Sequence, residues 1–477
     1  MPLPDNLSKI LVVDLDGTLL KSDILIENVL IFIKKHPLKI YQLFFWLLRG
    51  KIELKRKLAE KIDIDVTQLP YNNEVLSLIN QRKQLGHKII LATATYKKYA
   101  ILIADFLKFF DDTIYSETDN LSGKNKAKRL NQLFGYKKYD YVGNSFKDIS
   151  IWKSSLISYV VPSEIGLKAL IHFFINGNII FLSKNHNPIK SWLKELRIHQ
   201  WVKNILIFIP LITSHQLTNI NLILNGIIAF FLFSICASSV YILNDLLDLN
   251  EDRQHINKKN RPFASGDLNI KYGLFLFPFF LFLSFYFSYR LLPEKFFLSM
   301  VLYYIITFLY SFYLKKVVLI DVIVLASLYT IRIIAGAFAF QLNLTFWLLA
   351  FSMFIFLSLA LIKRYTELKD SKNSGKTNAG RGYCVDDLEL ISSLGSAAGY
   401  ISVLVLALYI DDINTVKLYT YPQLIWLACP LLLFWISRVW LLAHRGQMHE
   451  DPIVFTIKDK PSILIGLLFI LVLWYAA

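Results

Sequence analysis

The sequence predicts a multidomain chain with an N-terminal α/β domain over residues 1–165, an interfacial linker at 166–195, and an all-α transmembrane bundle of about nine helices over 196–477. Three observations predict it. The 477 residues are 55% apolar, above what a soluble protein carries, so part of the chain must sit in lipid. Up to about residue 165, short β-rich runs such as Ile10 to Val13, Lys88 to Leu91 and Tyr139 to Val142 alternate with charged helical stretches. After Arg197, apolar runs recur at about 202–215, 222–243, 272–292, 295–313, 318–340, 344–363, 391–410, 422–443 and 461–476. Most reach the roughly 20 residues that a spanning helix needs, although the first is short and bounded by Pro210.

At the N-terminus, Asp14 and Asp16 stand where a signal peptide needs an apolar core, so the first domain is expected in the cytoplasm. Residues 24–50 are apolar but broken by Lys34, Lys35, His36 and Pro37. That pattern fits a helical cap, at about 22–70, which touches the membrane without crossing it. Residues 164–184 suit the same interfacial position. Cys236, Cys384 and Cys429 are widely separated, with no metal-ligand or disulfide spacing, and are expected to be reduced and structural.

The net charge of +16 admits nucleic acid, anionic lipid headgroups or phosphorylated substrates as partners. Clustering of the basic residues beside apolar runs favours membrane and phosphate over nucleic acid. Loops after the second, fourth, sixth and eighth runs hold sixteen Lys and Arg. The opposite loops hold only Arg290, Lys295 and Lys417. The rich loops are therefore expected to face the cytoplasm, in an inner membrane, with Ala477 outside.

The second run ends in NDLLDLNEDRQHINKKNRPFASG. On a continued helix Asn244, Asp248 and Asp252 recur every four residues and face one way, with Asp245 beside them. Clustered carboxylates repel one another, which is sensible where Mg²⁺ neutralises them and bridges to substrate phosphates. Arg253, Lys258, Lys259 and Arg261 would meet the remaining phosphate oxygens. The bland alternative is an acidic and basic loop that merely solvates a helix end. Asp321 and Arg332 lie eleven apart, about 20° out of phase on a helix, and so share a face. An arginine well inside a span is usually functional or paired, so Arg332 either binds phosphate or meets a buried acid. Lys203 and Asn204, Lys315, and Lys363 with Arg364 stand at span edges, where either a substrate or simple cytoplasmic anchoring explains a base.

NDLLDLNED resembles the first aspartate-rich motif, NDxxDxxxD, of the UbiA-type polyprenyl transferase superfamily. LRIHQWVKN at 196–204, YSFYLKKVVLID at 310–321 and KRYTEL at 363–368 narrow the resemblance to its decaprenyl-phosphate phosphoribosyltransferase branch. The resemblance covers residues 190–477 and implies nine transmembrane helices, with Asp245 and Asp248 at the reaction centre. General prenyltransferases of this type carry a second DxxxD motif after the sixth span, where this chain has Lys363, Arg364 and Glu367. That departure suits a phosphoribosyl diphosphate donor and a polyprenyl phosphate acceptor. Two alternatives stay open: prenyl transfer from a prenyl diphosphate, and a non-catalytic lipid carrier or scaffold.

In the first domain, a strand followed by DLDGT puts two carboxylates on one loop, one to attack phosphorus and one to protonate the leaving oxygen. DLDGTLL resembles motif one of the haloacid dehalogenase (HAD) superfamily, a Rossmannoid fold. The resemblance implies Asp14 as nucleophile and Asp16 as acid/base. It further implies Thr93 as the phosphate-binding hydroxyl, with Thr95 a close rival, and Lys126 as the phosphate lysine, with Lys124 possible. Asp14, Asp16, Asn144 and Asp148 are the implied Mg²⁺ ligands, with Asn144 standing where the family has Asp, one negative charge fewer. A phosphatase fused to a phosphoribosyl transferase would remove the 5-phosphate that such a transfer leaves on the lipid-linked sugar.

Overall fold

The computed structural model describes residues 7–117, 121–162, 166–175, 177–182, 188–255, 258–374, 382–411, 419–448 and 451–476. Lys376, Arg381 and Lys417 of the loop tally, and Ala477, lie outside the described residues. The chain forms two compact units, Met1–Leu196 with Ile242–Leu276, and Arg197–Tyr241 with Phe277–Ala477.

The first unit is built on a six-stranded, all-parallel sheet. Its strands are β1 (Ile10–Val13), β2 (Lys88–Tyr96), β3 (Asp112–Ser116), β4 (Asp140–Gly143), β5 (Ile157–Val160) and β6 (Asn178–Phe181), in the order β3-β2-β1-β4-β5-β6. Parallel strands joined by helices are covered on both faces, which explains why β1 reads as unbroken apolar sequence. Leu11 and Val13 enter one core with Ile89 and Leu91, whereas Val12 enters the other with Ile90 and Ala92, as the two-residue period requires. The strand order reverses at β1, whose neighbours are β2 and β4. That opens a crevice beyond the carboxyl ends of β1 and β4, the usual ligand position in such sheets.

One expectation needs correction here. Residues 166–195 do more than link, because helix Leu167–Phe174 and strand β6 complete the sheet, with Ile157 in register with Asn178. The run Ile179, Ile180 and Phe181 is β-forming, and without it β5 would leave an open edge. The 24–50 segment forms helix Ile24–Lys35, a turn at Pro37–Lys39 and helix Tyr41–Leu48, followed by helix Lys51–Lys61. Asp23 caps the first of these by accepting the Leu25 and Ile26 amides.

Seven helices among the described residues are long and apolar enough to cross a membrane: Ile220–Leu247, Ile270–Leu291, Glu294–Phe312, Ile320–Ala339, Phe346–Lys372, Val385–Ile410 and Pro422–His444. The first and ninth expected spans are shorter. The first is a run of 3₁₀ turns, Ile198–Phe208, ending in helix Ile209–Thr213, and the last is the 17-residue helix Lys460–Ala476. Pro210 sits in the first turn of its helix, a position it favours but that also interrupts the preceding run.

Small residues let the helices of the second unit approach closely. A side chain at Gly336 would fall on the backbone of Ile207. The Ser358 hydroxyl donates to the Gly395 carbonyl at 2.6 Å and accepts from the Trp440 indole at 3.1 Å. Gly336→Ala is expected to lower stability in detergent by about 1–3 kcal/mol, the usual result of overpacking, seen as a depressed Tm. Gly466→Ala, with nothing near its would-be methyl, should leave Tm unchanged.

Candidate functional sites

The loop leaving β1 carries Asp14 and Asp16 into the crevice, and the loop leaving β4 brings Asn144 and Asp148. They line a cavity of about 400 Å³ with Thr95, Lys126, Lys51 and Lys55. Lys126, on helix Lys124–Phe134, donates to Asp14 Oδ1 at 2.6 Å and to the Ala92 carbonyl at 3.0 Å. Between the two lysines left open by spacing, the one that meets Asp14 is therefore Lys126. Between the two threonines, Thr95 stands in the cavity wall and donates to Asp16 Oδ2 at 2.5 Å. Thr93 is fully buried behind it, its hydroxyl accepting the Thr95 amide. Asp148 accepts the Asn144 and Ser145 amides, each at 3.0 Å, and the Tyr141 hydroxyl at 3.1 Å. Gly17 has φ +75°, and any side chain there would overlap Asn144, so the loop needs glycine at that point.

Burial raises the Asp14 carboxyl, Lys126 draws it back and the Asp148 charge pushes it up again. Asp16 is pushed up to about 7, by burial first and then by the charge of Asp23, against the hydrogen bond from Thr95. Asp14 is thus paired with a lysine, and Asp16 exchanges its proton near neutrality. Beside the Lys126 ammonium the site offers the carboxylate oxygens of Asp14 and Asp148 and the amide of Asn144, and oxygen is the ligand type that Mg²⁺ takes.

In the segment Ile242–Leu276, the acidic stripe divides differently from the expectation. Asp245 and Asp252, both buried, share Arg261 Nη1 at 2.9 and 2.7 Å. Asp248 instead meets Lys34 of the first domain at 2.6 Å, and Lys34 also meets Glu251 at 2.6 Å. Helix Ile220–Leu247 ends before Asp248, which caps the next short helix, Leu249–Gln254. Asp245 and Asp252, on either side of that break, are brought together by the Arg261 guanidinium. Burial, together with the neighbouring Asp245 charge, raises Asp252 to about 6 despite Arg261. Arg253 donates from both terminal nitrogens to Glu27, at 2.9 and 2.7 Å, and from Nε to the Ala264 carbonyl. Asn244 is half-buried and Lys258 exposed. Among the described residues no three His, Cys, Asp or Glu side chains group around a metal position. Asp245 and Asp252 offer carboxylate oxygens, the ligand type that Mg²⁺ takes, and both are held by Arg261.

In the second unit, three charge clusters take in the residues singled out from the sequence, beside a further pair of Arg438 with Asp459. Arg364 pairs with Asp321 at 2.7 Å and with Glu367, and the Tyr383 hydroxyl donates to Asp321. Asp451 takes Lys203 at 2.7 Å and Lys363 at 3.3 Å. Burial would raise Asp451, but Lys363 and Lys203 outweigh it and hold the carboxyl well below its usual range. Arg332, 4% exposed, donates to Asn204 Oδ1 at 2.8 Å, the Tyr303 hydroxyl at 3.2 Å and the Leu328 carbonyl. Its guanidinium lies over the rings of Phe233, Tyr303 and Tyr329. Asp321 is thus engaged by Arg364, and among the described residues Arg332 is held by neutral groups. Lys315 lies on the 3₁₀ turn Leu314–Lys316.

Glu27, Asp451 and Tyr383 escaped the sequence reading. Asp451 had a visible signal, an acid directly before Pro452 in the loop that holds Arg445, Lys458 and Lys460. Glu27 had none, since its partner lies 226 residues away.

A family model described as the UbiA prenyltransferase family matches residues 206–474. An uncharacterized protein, y4nM, of Sinorhizobium fredii is 34% identical over 462 residues, 96% of this chain and 89% of its own length. A decaprenyl-phosphate phosphoribosyltransferase of Mycobacterium tuberculosis is 30% identical over 193 residues, 40% of this chain and 64% of its own. A solved UbiA homologue from Archaeoglobus fulgidus, bound to GPP and Mg²⁺, superimposes with a TM-score of 0.46 at 18% identity, covering 60% of this chain and 99% of that one.

The Glu27–Arg253 pair is buried on both sides. Glu27→Ala or Arg253→Ala alone is expected to cost about 3–5 kcal/mol by stranding a charge, and Glu27→Met with Arg253→Met should recover much of it. Thermal melts of the three variants in detergent check this.

Proposed function

The chain belongs to the UbiA prenyltransferase family, and from that premise we propose that it transfers a phosphoribosyl group from phosphoribosyl diphosphate to a polyprenyl phosphate. In the same proposal the N-terminal domain is a HAD-like phosphohydrolase that removes the 5-phosphate from the product. The observation that carries the transferase reading is Arg332, a permanent cation buried on the helix Ile320–Ala339 with only neutral partners among the described residues. An unpaired charge in such a place is costly, and an anionic ligand relieves the cost.

The acceptor phosphate oxygen attacks the anomeric carbon, forming a C–O bond as the bond to diphosphate breaks. The acceptor is already charged, so no general base is required. Arg332 binds a phosphate oxygen, and Lys203 and Lys363 keep Asp451 ionised beside them. Asp245 and Asp252 would hold Mg²⁺, which stabilises the departing diphosphate. Lys363, Arg364 and Glu367, in place of a second acidic motif, leave the reaction centre less anionic than in a prenyltransferase that binds two metals. In the phosphohydrolase, Asp14 attacks phosphorus as the bond to the sugar oxygen breaks and Asp16 protonates that oxygen; water, giving its proton to Asp16, then cleaves the phosphoryl group from Asp14 as phosphate, with Thr95 and Lys126 holding the phosphoryl oxygens. Mg²⁺ at Asp14, Asn144 and Asp148 would offset the charge between nucleophile and phosphate. The short helices Ile198–Thr213 and Lys460–Ala476 bring the crossings to nine, with the basic loops and the first domain cytoplasmic in the inner membrane.

In nanodiscs containing polyprenyl phosphate, wild type should consume phosphoribosyl diphosphate in preference to a prenyl diphosphate. Arg332→Met should reduce kcat/KM for the donor by about a hundredfold, the effect of removing one partner of a buried charged contact. Use of prenyl diphosphate alone would replace this reading with prenyl transfer. Asp14→Asn should leave the transfer rate unchanged while the lipid product keeps its 5-phosphate, read by mass spectrometry. Identical products from both proteins would remove the phosphohydrolase step.

A further inference from the structure

The helix Tyr41–Leu48 has the sequence YQLFFWLL, and none of its eight residues is buried. Leu43 and Trp46 rest against the first domain's core, Trp46 edge-on to Phe32 with centroids 5.3 Å apart. The opposite face presents Tyr41, Phe44, Phe45 and Leu48, each 58–68% exposed, at the i, i+3, i+4, i+7 spacing of one helical stripe. Leu38, in the preceding turn, is 88% exposed. Such a face is ordinarily covered.

Charge identifies what covers it. From Asn28 to Ile52 the sequence contains no Asp or Glu, and the exposed Lys35, Lys39, Arg49 and Lys51 flank the apolar stripe. An apolar stripe edged with cations is the pattern of a helix lying in an anionic lipid surface. The seven spanning helices of the same chain guarantee that a bilayer is at hand. The helix also adjoins the phosphoryl cavity: Leu47, on its last turn, and Lys51, just beyond it, line the cavity with Asp14, Asp16 and Lys126.

We propose that helix Tyr41–Leu48 inserts into the surface of an anionic bilayer and sets the mouth of the Asp14 cavity there, so that the site takes phosphomonoesters carried by a membrane lipid. The substrate class rests on the phosphohydrolase reading above; the insertion does not. The phosphoryl group reaches Asp14 and Lys126, the apolar wall of Leu47 and Leu54 faces the organic part next to it, and the lipid tail stays in the bilayer.

The test uses the full chain in nanodiscs, with Cys384→Ser removing the exposed thiol and Phe44→Cys carrying a fluorescent label, since Cys236 and Cys429 are buried. With phosphatidylglycerol present, the label should be quenched by lipids bearing a shallow nitroxide and be protected from aqueous iodide. Replacing phosphatidylglycerol with phosphatidylcholine should weaken the lipid quenching. Quenching by iodide overturns insertion by placing the face in water, and quenching by neither overturns it by showing protein cover, including a second copy. A second arm compares hydrolysis of a lipid-borne phosphomonoester with that of a soluble one. The double variant Phe44→Ser with Phe45→Ser, both outside the cavity lining, should lower the lipid-to-soluble rate ratio at least about tenfold while sparing the soluble substrate. An unchanged ratio overturns the role in substrate presentation. Hydrolysis of neither substrate by an inserted wild type overturns the phosphohydrolase reading and leaves the insertion standing.

Discussion

A charge taken out of water must be met by another charge or by a full set of hydrogen bonds, and the placement of nearly every functional residue here follows from that demand. In the second unit, Asp321 with Arg364 and Glu367, and Asp451 with Lys203 and Lys363, are closed groups in which each acid faces base. In the first, Asp245 and Asp252 close on Arg261, Glu27 on Arg253, and Asp140 on Arg82 inside the sheet's own core. Arg332 is held differently, by an amide oxygen, a phenol, a carbonyl and three aromatic faces. Aromatic faces attract a cation without neutralising it, so among the described residues no carboxylate balances the guanidinium charge.

The same demand shapes the phosphoryl cavity by a different route. Parallel strands deliver their loops to one edge, and the strand order reverses at β1, so Asp14 and Asp16 meet Asn144 and Asp148 although some 130 residues separate them. Burial then separates two neighbouring carboxyls into distinct roles. Asp14 lies against the Lys126 ammonium, while Asp16, facing Asp23, holds its proton to about 7. Neither state belongs to the DxD motif alone, since Lys126 and Thr95 arrive from other elements.

Much of the architecture was legible because it is periodic. Alternating β-rich and helical stretches predicted the α/β domain, and apolar runs predicted nine spanning helices, of which seven among the described residues are long and apolar enough to cross a membrane and two are shorter. The chemistry was legible wherever spacing is local: Asp14 with Asp16, the Asn244 to Asp252 stretch, Arg332 inside a span. Choices that depend on a side chain's direction were not. Thr93 and Thr95 are two apart on one strand, and only the bulge between Ala92 and Tyr96 and the packed sheet behind them turn Thr95 to the cavity. A stripe of Asn244, Asp248 and Asp252 was reasonable for an unbroken helix. The helix stops at Leu247, and Arg261 joins Asp245 to Asp252 instead.

The sequence by itself determined the classes of element, their order, and the local groupings of charged residues, because hydropathy and motif spacing act over a few turns of chain. Tertiary structure alone decided the partners. That Lys34 takes Asp248, that Glu27 secures Arg253, that Asp451 gathers Lys203 and Lys363, and that Arg332 receives no carboxylate among the described residues all depend on contacts across tens to hundreds of residues. A buried charge is balanced by whichever group the fold brings within about 3 Å of it, and no local pattern records which group that is.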